Sequence, residues 1–373
     1  MRRSEMKINK QEKKPLIVLT AGGTGGHVYP AEALAEELEQ RGYSLMLITD
    51  KRGKNNYKGK LGQMPNIAVF SGGVVGKSLL FKLQSLVKIA LGVVQATWIL
   101  WRNKPLCVVG FGGYASFPAC VAALLSGTPL VIHEQNSVMS RTNRFFNKYA
   151  TIIAQSFKKV KYASNAQKNI LCGMPVRAAI VEASKREYPK LEKKDVFQVL
   201  VLGGSQGAKI LSDIVPCVMK EAKKNIANKI RVIQQCREGE EKQIEAAYKG
   251  SGIEVIAKHF FDNMDELYAG SHIVISRSGA SSVSEIAVVG VPSILIPLPT
   301  AADDHQTSNA VEIAEAKAGI VIAQKDLTAD KLARIISEWG NDYKKLKNMS
   351  DFAKKIGITD AAQRLANAIE NNI

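Results

Sequence analysis

The sequence predicts an α/β protein made of two halves, each a parallel sheet wrapped by helices in the Rossmann manner. Three observations carry this. Short β-rich apolar runs alternate with helix-like stretches along most of the chain. The runs are continuously apolar rather than alternating, as expected of parallel strands covered on both faces. The glycine turn in "VLTAGGTGG" is echoed by "VLGGSQGA" at 201–208, half a chain later.

The strands expected in the first half are "LIVLT" (16–20), "LMLIT" (45–49), "LCVVG" (106–110), "PLVIH" (129–133) and "TIIAQ" (151–155). Those of the second are "FQVLVL" (197–202), "IRVIQQ" (230–235), "IEVIA" (253–257), "HIVIS" (272–276) and "PSILI" (292–296). Between the halves, "KYASNAQKNILCGMPVR" and the charged run "EASKREYPKLEKKD" (182–195) read as a hinge. One sheet of all these strands is disfavoured, because open sheets rarely run past ~10 strands.

Composition narrows the function. The chain has 373 residues, 46% of them hydrophobic, and a net charge of +17. That charge favours polyanions, phosphorylated substrates or an anionic membrane surface. Aromatics are 6% and no Arg–aromatic run occurs, so a single-strand nucleic-acid platform is not expected. The five cysteines are scattered, with no C-x-x-C. A zinc site is therefore unexpected, and a reduced, cytosolic compartment is favoured. "MRRSEMKINKQEKK" reads as a mobile basic tail, and the apolar run after it is too short for a signal sequence.

Three glycine turns follow strands. The first fails G-x-G-x-x-G at Val28, although Asp50 at the end of the second strand keeps a dinucleotide reading open. "SGGVVGKS" (71–78) has Ser71 where a phosphate loop needs glycine. The second turn, "GGSQGAKIL", opens a helix at about Gly207, where backbone N–H groups and the Ser205 hydroxyl would face a phosphate. A ligand-free tight turn is the alternative. The third is "GFGGYASFPA" (110–119). Ligands of open α/β sheets bind at such carboxyl ends.

"SRSGASSVSEIAVVG" (276–290) has two readings. Ser282-x-x-Glu285 is a capping box, with Ser282 as N-cap. Alternatively, Glu285 offers two acceptors to a ribose diol. "IHEQNS" (132–137) and "ADDHQTSNA" (302–310) place amides and carboxylates, the groups that read sugar hydroxyls, after buried strands. No D-x-D triplet occurs, so no metal site is expected. The stretch 76–101 is long and apolar enough to suggest a membrane span, but Lys82, Gln84 and Lys88 argue against one. Most of it reads as a buried amphipathic helix. Its start mixes Leu79, Leu80, Phe81, Leu83 and Leu86 with Lys77, Lys82 and Lys88, which suits the headgroup boundary of an anionic bilayer.

Together, "GGTGGHVYPA", "GFGGYASFPA", "HEQNSV", "GMPVR", "GGSQGA", "SRSGASSVSE" and "ADDHQTSNA" occur in the order found in the MurG family, from residue 20 to about 310. The chain resembles that family of UDP-N-acetylglucosamine:lipid-linked N-acetylmuramoyl-pentapeptide transferases of peptidoglycan synthesis. The resemblance implies a GT-B fold, two Rossmann-like domains facing across a cleft. It divides the chain into the tail (1–14), an acceptor and membrane domain (15–176), a UDP-GlcNAc domain (177–355) and a terminal helix crossing back to the first domain (356–373).

By resemblance, UDP-GlcNAc sits mostly on the second domain. The Phe261 backbone contacts uracil, Glu285 holds the ribose, and Ser205, Gln206 and Gly207 meet the diphosphate. Ala280, Gln306, Asn309 and Asn136 touch the sugar, and Arg177 stands at the domain junction. His305 replaces a glutamine of some members and joins the donor-binding set, as do Thr24, Gly25 and Gly26. The glycine turns of the first domain take the diphosphate of the lipid acceptor. Met174 replaces the usual asparagine of G-N-P-V-R and has no polar role.

The implied reaction is inverting displacement at the anomeric carbon by the 4-hydroxyl of the muramoyl sugar, without cofactor or metal. His27 is the favoured base or acceptor clamp, its alternative being a structural histidine that hydrogen-bonds the turn. Glu134 and Tyr114 are rival bases. The expected partners are UDP-GlcNAc, the lipid acceptor and the anionic cytoplasmic face of the cell membrane, where the enzyme would be peripheral. Rival functions are a UDP-GlcNAc 2-epimerase and a non-catalytic sugar-nucleotide-binding subunit.

Overall fold

The computed structural model describes residues 14–22, 25–57, 59–72, 79–163, 168–192, 194–204 and 207–373. Within them the chain forms two all-parallel sheets. The first contains β1 (Leu16–Thr20), β2 (Ser44–Thr49), β3 (Asn66–Ala68), β4 (Cys107–Gly110), β5 (Leu130–Glu134), β6 (Ile152–Gln155) and β7 (Asn169–Leu171), in the order β3-β2-β1-β4-β5-β6-β7. The second contains β8 (Val196–Leu202), β9 (Lys229–Gln235), β10 (Ile253–Lys258), β11 (Ile273–Ser276), β12 (Ser293–Leu295) and β13 (Gly319–Val321), in the order β10-β9-β8-β11-β12-β13. All ten expected strands form. β3, β7 and β13 were not anticipated: each is a three-residue edge strand. β7 also corrects the hinge, because it places residues 169–171 in the first sheet.

Each sheet buries alternate residues on opposite faces. In β1, Ile17 and Leu19 pack with the helix Gly25–Gln40, while Val18 packs with Ala96, Ile99 and Leu100 of the helix Leu79–Asn103. The first of these two cores also receives Leu365, Ala366 and Ile369 from the terminal helix Ala361–Asn372. Arg41 pairs with Glu370 at 2.5 Å across that contact. The chain thus returns from the second sheet to finish the core of the first. Met174 lies in an apolar cluster with Phe157 and Val176.

The helix Leu79–Asn103 departs from expectation. By length and composition its part Leu83–Asn103 could cross a membrane. It lies instead along the first half, with Gly92 against the Phe70 backbone. Its outer face is not buried: Phe81, Leu83, Leu86, Val87, Leu91, Val94, Trp98 and Trp101 are 51–70% exposed. The reading of this stretch as mostly core is therefore wrong. A periodicity that marks an inner face cannot show that the outer one is apolar too.

In both sheets the chain reverses direction next to the first strand, between β1 and β4 and between β8 and β11. The crevice outside the carboxyl ends at such a switch point is where open α/β sheets take ligands. The described residues of all three glycine turns follow β1, β4 and β8 at those ends.

Candidate functional site

The first and third glycine turns pack on one another. A Cβ on Gly22 would overlap the Ala115 side chain. Gly112 and Gly113 have φ of +82° and +80°, a conformation costly for any other residue. The helix opened by Gly25 and Gly26 points its N-terminal N–H groups toward this crevice, a setting suited to an anion. Thr24 lies outside the described residues. Asp50, the acid of the dinucleotide reading, is spent as an N-cap, its carboxylate accepting from Gly53 N at 2.8 Å.

His27, half-buried in the first turn of that helix, lies with Nδ1 3.2 Å from Gln135 Oε1. Burial lowers its pKa, against the pull of Glu134 and the bond to Gln135. The ring is therefore neutral at neutral pH, as a general base must be. Glu134 is fully buried. Its Oε1 accepts from Asn136 N (2.9 Å) and Asn136 Nδ2 (3.4 Å), and its Oε2 from Ser140 N and Asn143 Nδ2, both 2.8 Å. Four donors fill a carboxylate's lone-pair sites. This geometry makes Glu134 the organiser of the loop after β5 and leaves no lone pair for a rival base. Tyr114, in the third turn, is 47% exposed and free to meet an acceptor.

In the second half, Glu285 is buried in the helix Ala280–Val289. The capping-box reading fails. The helix starts three residues earlier than that reading requires, with Gly279 as N-cap, so Ser282 is already inside it. Glu285 instead faces Arg177 Nη2 at 3.6 Å and hydrogen-bonds the buried Tyr268 hydroxyl. Burial raises its pKa, and Arg177 opposes the rise. The Arg177 guanidinium also lies 5.0 Å from the Tyr29 ring centroid. Arg177 therefore joins the glycine-turn helix of the first half to the Glu285 helix of the second.

A second bridge runs through Asn309. Its Oδ1 accepts from Ser137 N and Oγ, both at 2.9 Å, and its Nδ2 donates to Asn136 Oδ1 (3.1 Å) and Ser278 O (3.2 Å). Two of the four residues assigned to the sugar, Asn136 and Asn309, are thus engaged with each other across the cleft. A third bridge is Arg144, which reaches Asp303 at 2.7 Å. Asp303 and Asp304 both have φ of +52°. Such backbone costs on the order of 1–3 kcal/mol per residue and clusters at functional sites. It turns the chain into the helix His305–Glu315. There His305 Nδ1 lies 2.8 Å from Ala302 O, and Gln306 Oε1 accepts from Leu298 N at 2.9 Å.

Ala280 is the first residue of the Glu285 helix. Phe261 is buried, and among the described residues no hydrogen bond engages its backbone. Gly207 precedes the helix Lys209–Lys223, which opens slightly later than expected. Ser205 and Gln206 lie outside the described residues. Four buried polar atoms around the crevice lack partners: Thr20 Oγ1, Ser278 Oγ, Ser281 Oγ and Arg177 Nε. Each carries a desolvation cost of ~1–3 kcal/mol that a polar ligand would relieve. Among the described residues no three His, Cys, Asp or Glu side chains converge on a metal-sized site.

Sequence reasoning read Gln135 only as one of the sugar-reading types of "IHEQNS" and assigned no role to Tyr268, Tyr29, Ser137 or Arg144. Gln135 was visible within "IHEQNS". Tyr268 sits in the short helix Met264–Gly270 and carried no signal.

Comparison with known proteins extends over the whole site. Residues 17–155 match the glycosyltransferase family 28 N-terminal domain, and residues 198–365 the glycosyltransferase family 28 C-terminal domain. A relative from Paramagnetospirillum magneticum is 43% identical, over 96% of both chains. One from Rhodospirillum rubrum is 40% identical, over 95% of this chain and 91% of its own. Both are named UDP-N-acetylglucosamine–N-acetylmuramyl-(pentapeptide) pyrophosphoryl-undecaprenol N-acetylglucosamine transferase. The crystal structure of Acinetobacter baumannii MurG superposes with a TM-score of 0.78 at 27% identity, covering 96% of this chain and 99% of that one. A UDP-GlcNAc 2-epimerase from Neisseria meningitidis, bound to UDP-GlcNAc, superposes at 0.68 with 13% identity, covering 96% of this chain and all of that one, and shares the fold alone.

Proposed function

The chain belongs to the MurG family of UDP-N-acetylglucosamine–N-acetylmuramyl-(pentapeptide) pyrophosphoryl-undecaprenol N-acetylglucosamine transferases within glycosyltransferase family 28, and from that premise we propose how its residues divide the reaction. The enzyme is a hexosyltransferase of peptidoglycan synthesis. It moves GlcNAc from UDP-GlcNAc to the lipid-linked muramoyl-pentapeptide, forming lipid II. The observation that carries this is 43% identity to a named transferase over 359 residues, 96% of both chains. The epimerase shares only the shape.

UDP-GlcNAc lies against the second half. The unengaged Phe261 backbone takes the uracil and the Glu285 carboxylate takes the ribose diol. The orphaned Ser278 and Ser281 hydroxyls, with the N-terminus of the Glu285 helix, supply polar contacts to the diphosphate. The acceptor enters from the first half, its diphosphate over the glycine turns and the N-terminus of the His27 helix. His27 removes the proton of the attacking 4-hydroxyl as the oxygen bonds the anomeric carbon from the face opposite UDP, with inversion. UDP leaves with the electron pair, stabilised by oriented N–H groups rather than by paired acids. The apolar outer face of the helix Leu79–Asn103, edged by Lys88 and Arg102, rests on the anionic cytoplasmic face of the membrane that holds the acceptor's tail.

The test is incubation with labelled UDP-GlcNAc, with and without lipid-linked muramoyl-pentapeptide. Label appearing in the lipid only when the acceptor is present supports the reading. Epimerisation of the UDP-sugar without acceptor overturns it.

A further inference from the structure

We propose that Gln135 is a positioning residue for the reaction: it holds the His27 ring proton on Nδ1 and so leaves Nε2 as the proton acceptor. The proposal deepens the reading of His27 as base and rests on it.

The argument follows hydrogen-bond direction along one chain of groups. The Gly173 carbonyl can only accept. His133 Nε2 lies 3.2 Å from it and so carries the proton of that ring. The Ser156 hydroxyl, 3.4 Å from the same nitrogen, directs its own hydrogen to Met174 Sδ. A neutral imidazole has one N–H, so His133 Nδ1 is an acceptor. Gln135 Nε2 lies 3.1 Å from that Nδ1, 2.9 Å from Phe111 O and 3.2 Å from His133 O. Three acceptors surround it. An amide oxygen there would meet only repulsion, so the amide orientation is fixed and Oε1 faces His27. Oε1 accepts only, which makes His27 Nδ1, 3.2 Å away, the donor. The one remaining ring nitrogen, Nε2, holds the lone pair.

A second observation agrees. A Cβ on Gly112 would stand 3.6 Å from His27 Cε1, and one on Gly113 3.7 Å from Cδ2. These are the two atoms flanking Nε2. The glycine pair therefore keeps that edge of the ring clear of side chains. Burial keeps both rings neutral, His133 with its pKa pushed down to about 4. In the reaction, the proton of the acceptor hydroxyl passes to Nε2. The resulting imidazolium keeps its Nδ1–H bond to Gln135, near the Glu134 carboxylate.

The experiment uses the full chain labelled with 15N-histidine, with the His27 ring signals assigned by their loss in His27→Ala. The expected wild-type spectrum is a neutral ring protonated on Nδ1. Gln135→Met, of similar size but without the amide, should mix the two tautomers. It should also lower kcat by part of the about 10²–10⁴-fold that a positioned base contributes, with KM for UDP-GlcNAc unchanged. Gln135→Glu, whose protonated carboxyl can donate to Phe111 O and accept from His27, should recover kcat relative to Met. A wild-type ring protonated on Nε2, or a Met variant that keeps a pure Nδ1–H ring and full kcat, overturns the proposal. Full kcat in His27→Ala removes the base reading while the tautomer result stands.

Discussion

Arg177 Nη2 stands 3.6 Å from Glu285 Oε1, and through this pair the first helix of one half is tied to the donor-side helix of the other. The carboxylate closes no capping box, and in the proposed reading it binds the ribose. Glu285→Ala should weaken UDP-GlcNAc binding by about 1.5–3 kcal/mol, the range for a hydrogen bond to a charged group. Calorimetry checks this. Unchanged affinity would leave Glu285 with only a structural role. The wild type carries a pH signature as well. Burial raises the Glu285 pKa, so on acidification the ionised acceptor is lost at a higher pH than an ordinary carboxylate would allow. Donor affinity should fall correspondingly early, and the Ala variant should lack that limb.

Acid stability follows from His133. Its folded pKa of about 4 lies below the ordinary value of 6.5. The unfolded chain therefore binds more protons between those values. Stability is fully present above pH 6.5 and is lost as pH falls toward 4, by on the order of 3 kcal/mol from this residue. Urea unfolding measured across that window should show the loss. His133→Gln should flatten the slope, and an unchanged slope would contradict the assignment.

Excess EDTA should leave most of the activity. Among the described residues no cluster of acids or histidines is placed to hold a divalent ion. Helix N-termini and glycine-loop N–H groups remain to stabilise the leaving diphosphate. Activity lost to EDTA and restored by Mg²⁺ would contradict this.

Membrane docking is tested on the exposed face of the helix Leu79–Asn103. Trp98 and Trp101 are 57% and 70% exposed, and Arg102 lies 5.5 Å from the Trp98 ring centroid. Replacing both tryptophans with Ser should reduce co-sedimentation with anionic vesicles and leave UDP-GlcNAc binding intact. Wild-type partitioning should fall with salt, because attraction of ~1 kcal/mol per basic residue near the surface is screened. Equal partitioning of mutant and wild type would sink the idea.

The interior of the fold was legible because interior parallel strands are continuous apolar runs, and all ten such runs became strands. The edge strands β3, β7 and β13 were missed because each is only three residues long, too short to be told from a loop or helix segment by its apolar residues. The residues of the site could be read as types but not as partners. "SSVSE" fits a capping box, and only the start of the helix at Ala280 shows that the box does not form. Glu134 and His27 look equally fit to be bases in sequence. What separates them is that four donors surround Glu134, whereas His27 is a neutral ring with Nδ1 beside an acceptor, Gln135 Oε1. Gln135 acquires meaning only through contacts 24 and 108 residues away in the chain.

The central claim is that His27, on the acceptor side, acts on a sugar held by the other half. The most direct measurement is kcat of His27→Ala with the UDP-GlcNAc dissociation constant determined on the same preparation. The expected result is a fall in kcat of about 10²–10⁴-fold with donor affinity unchanged. Wild-type kcat together with weakened donor binding would contradict the account and move the base to another group, with the exposed Tyr114 hydroxyl next in reach.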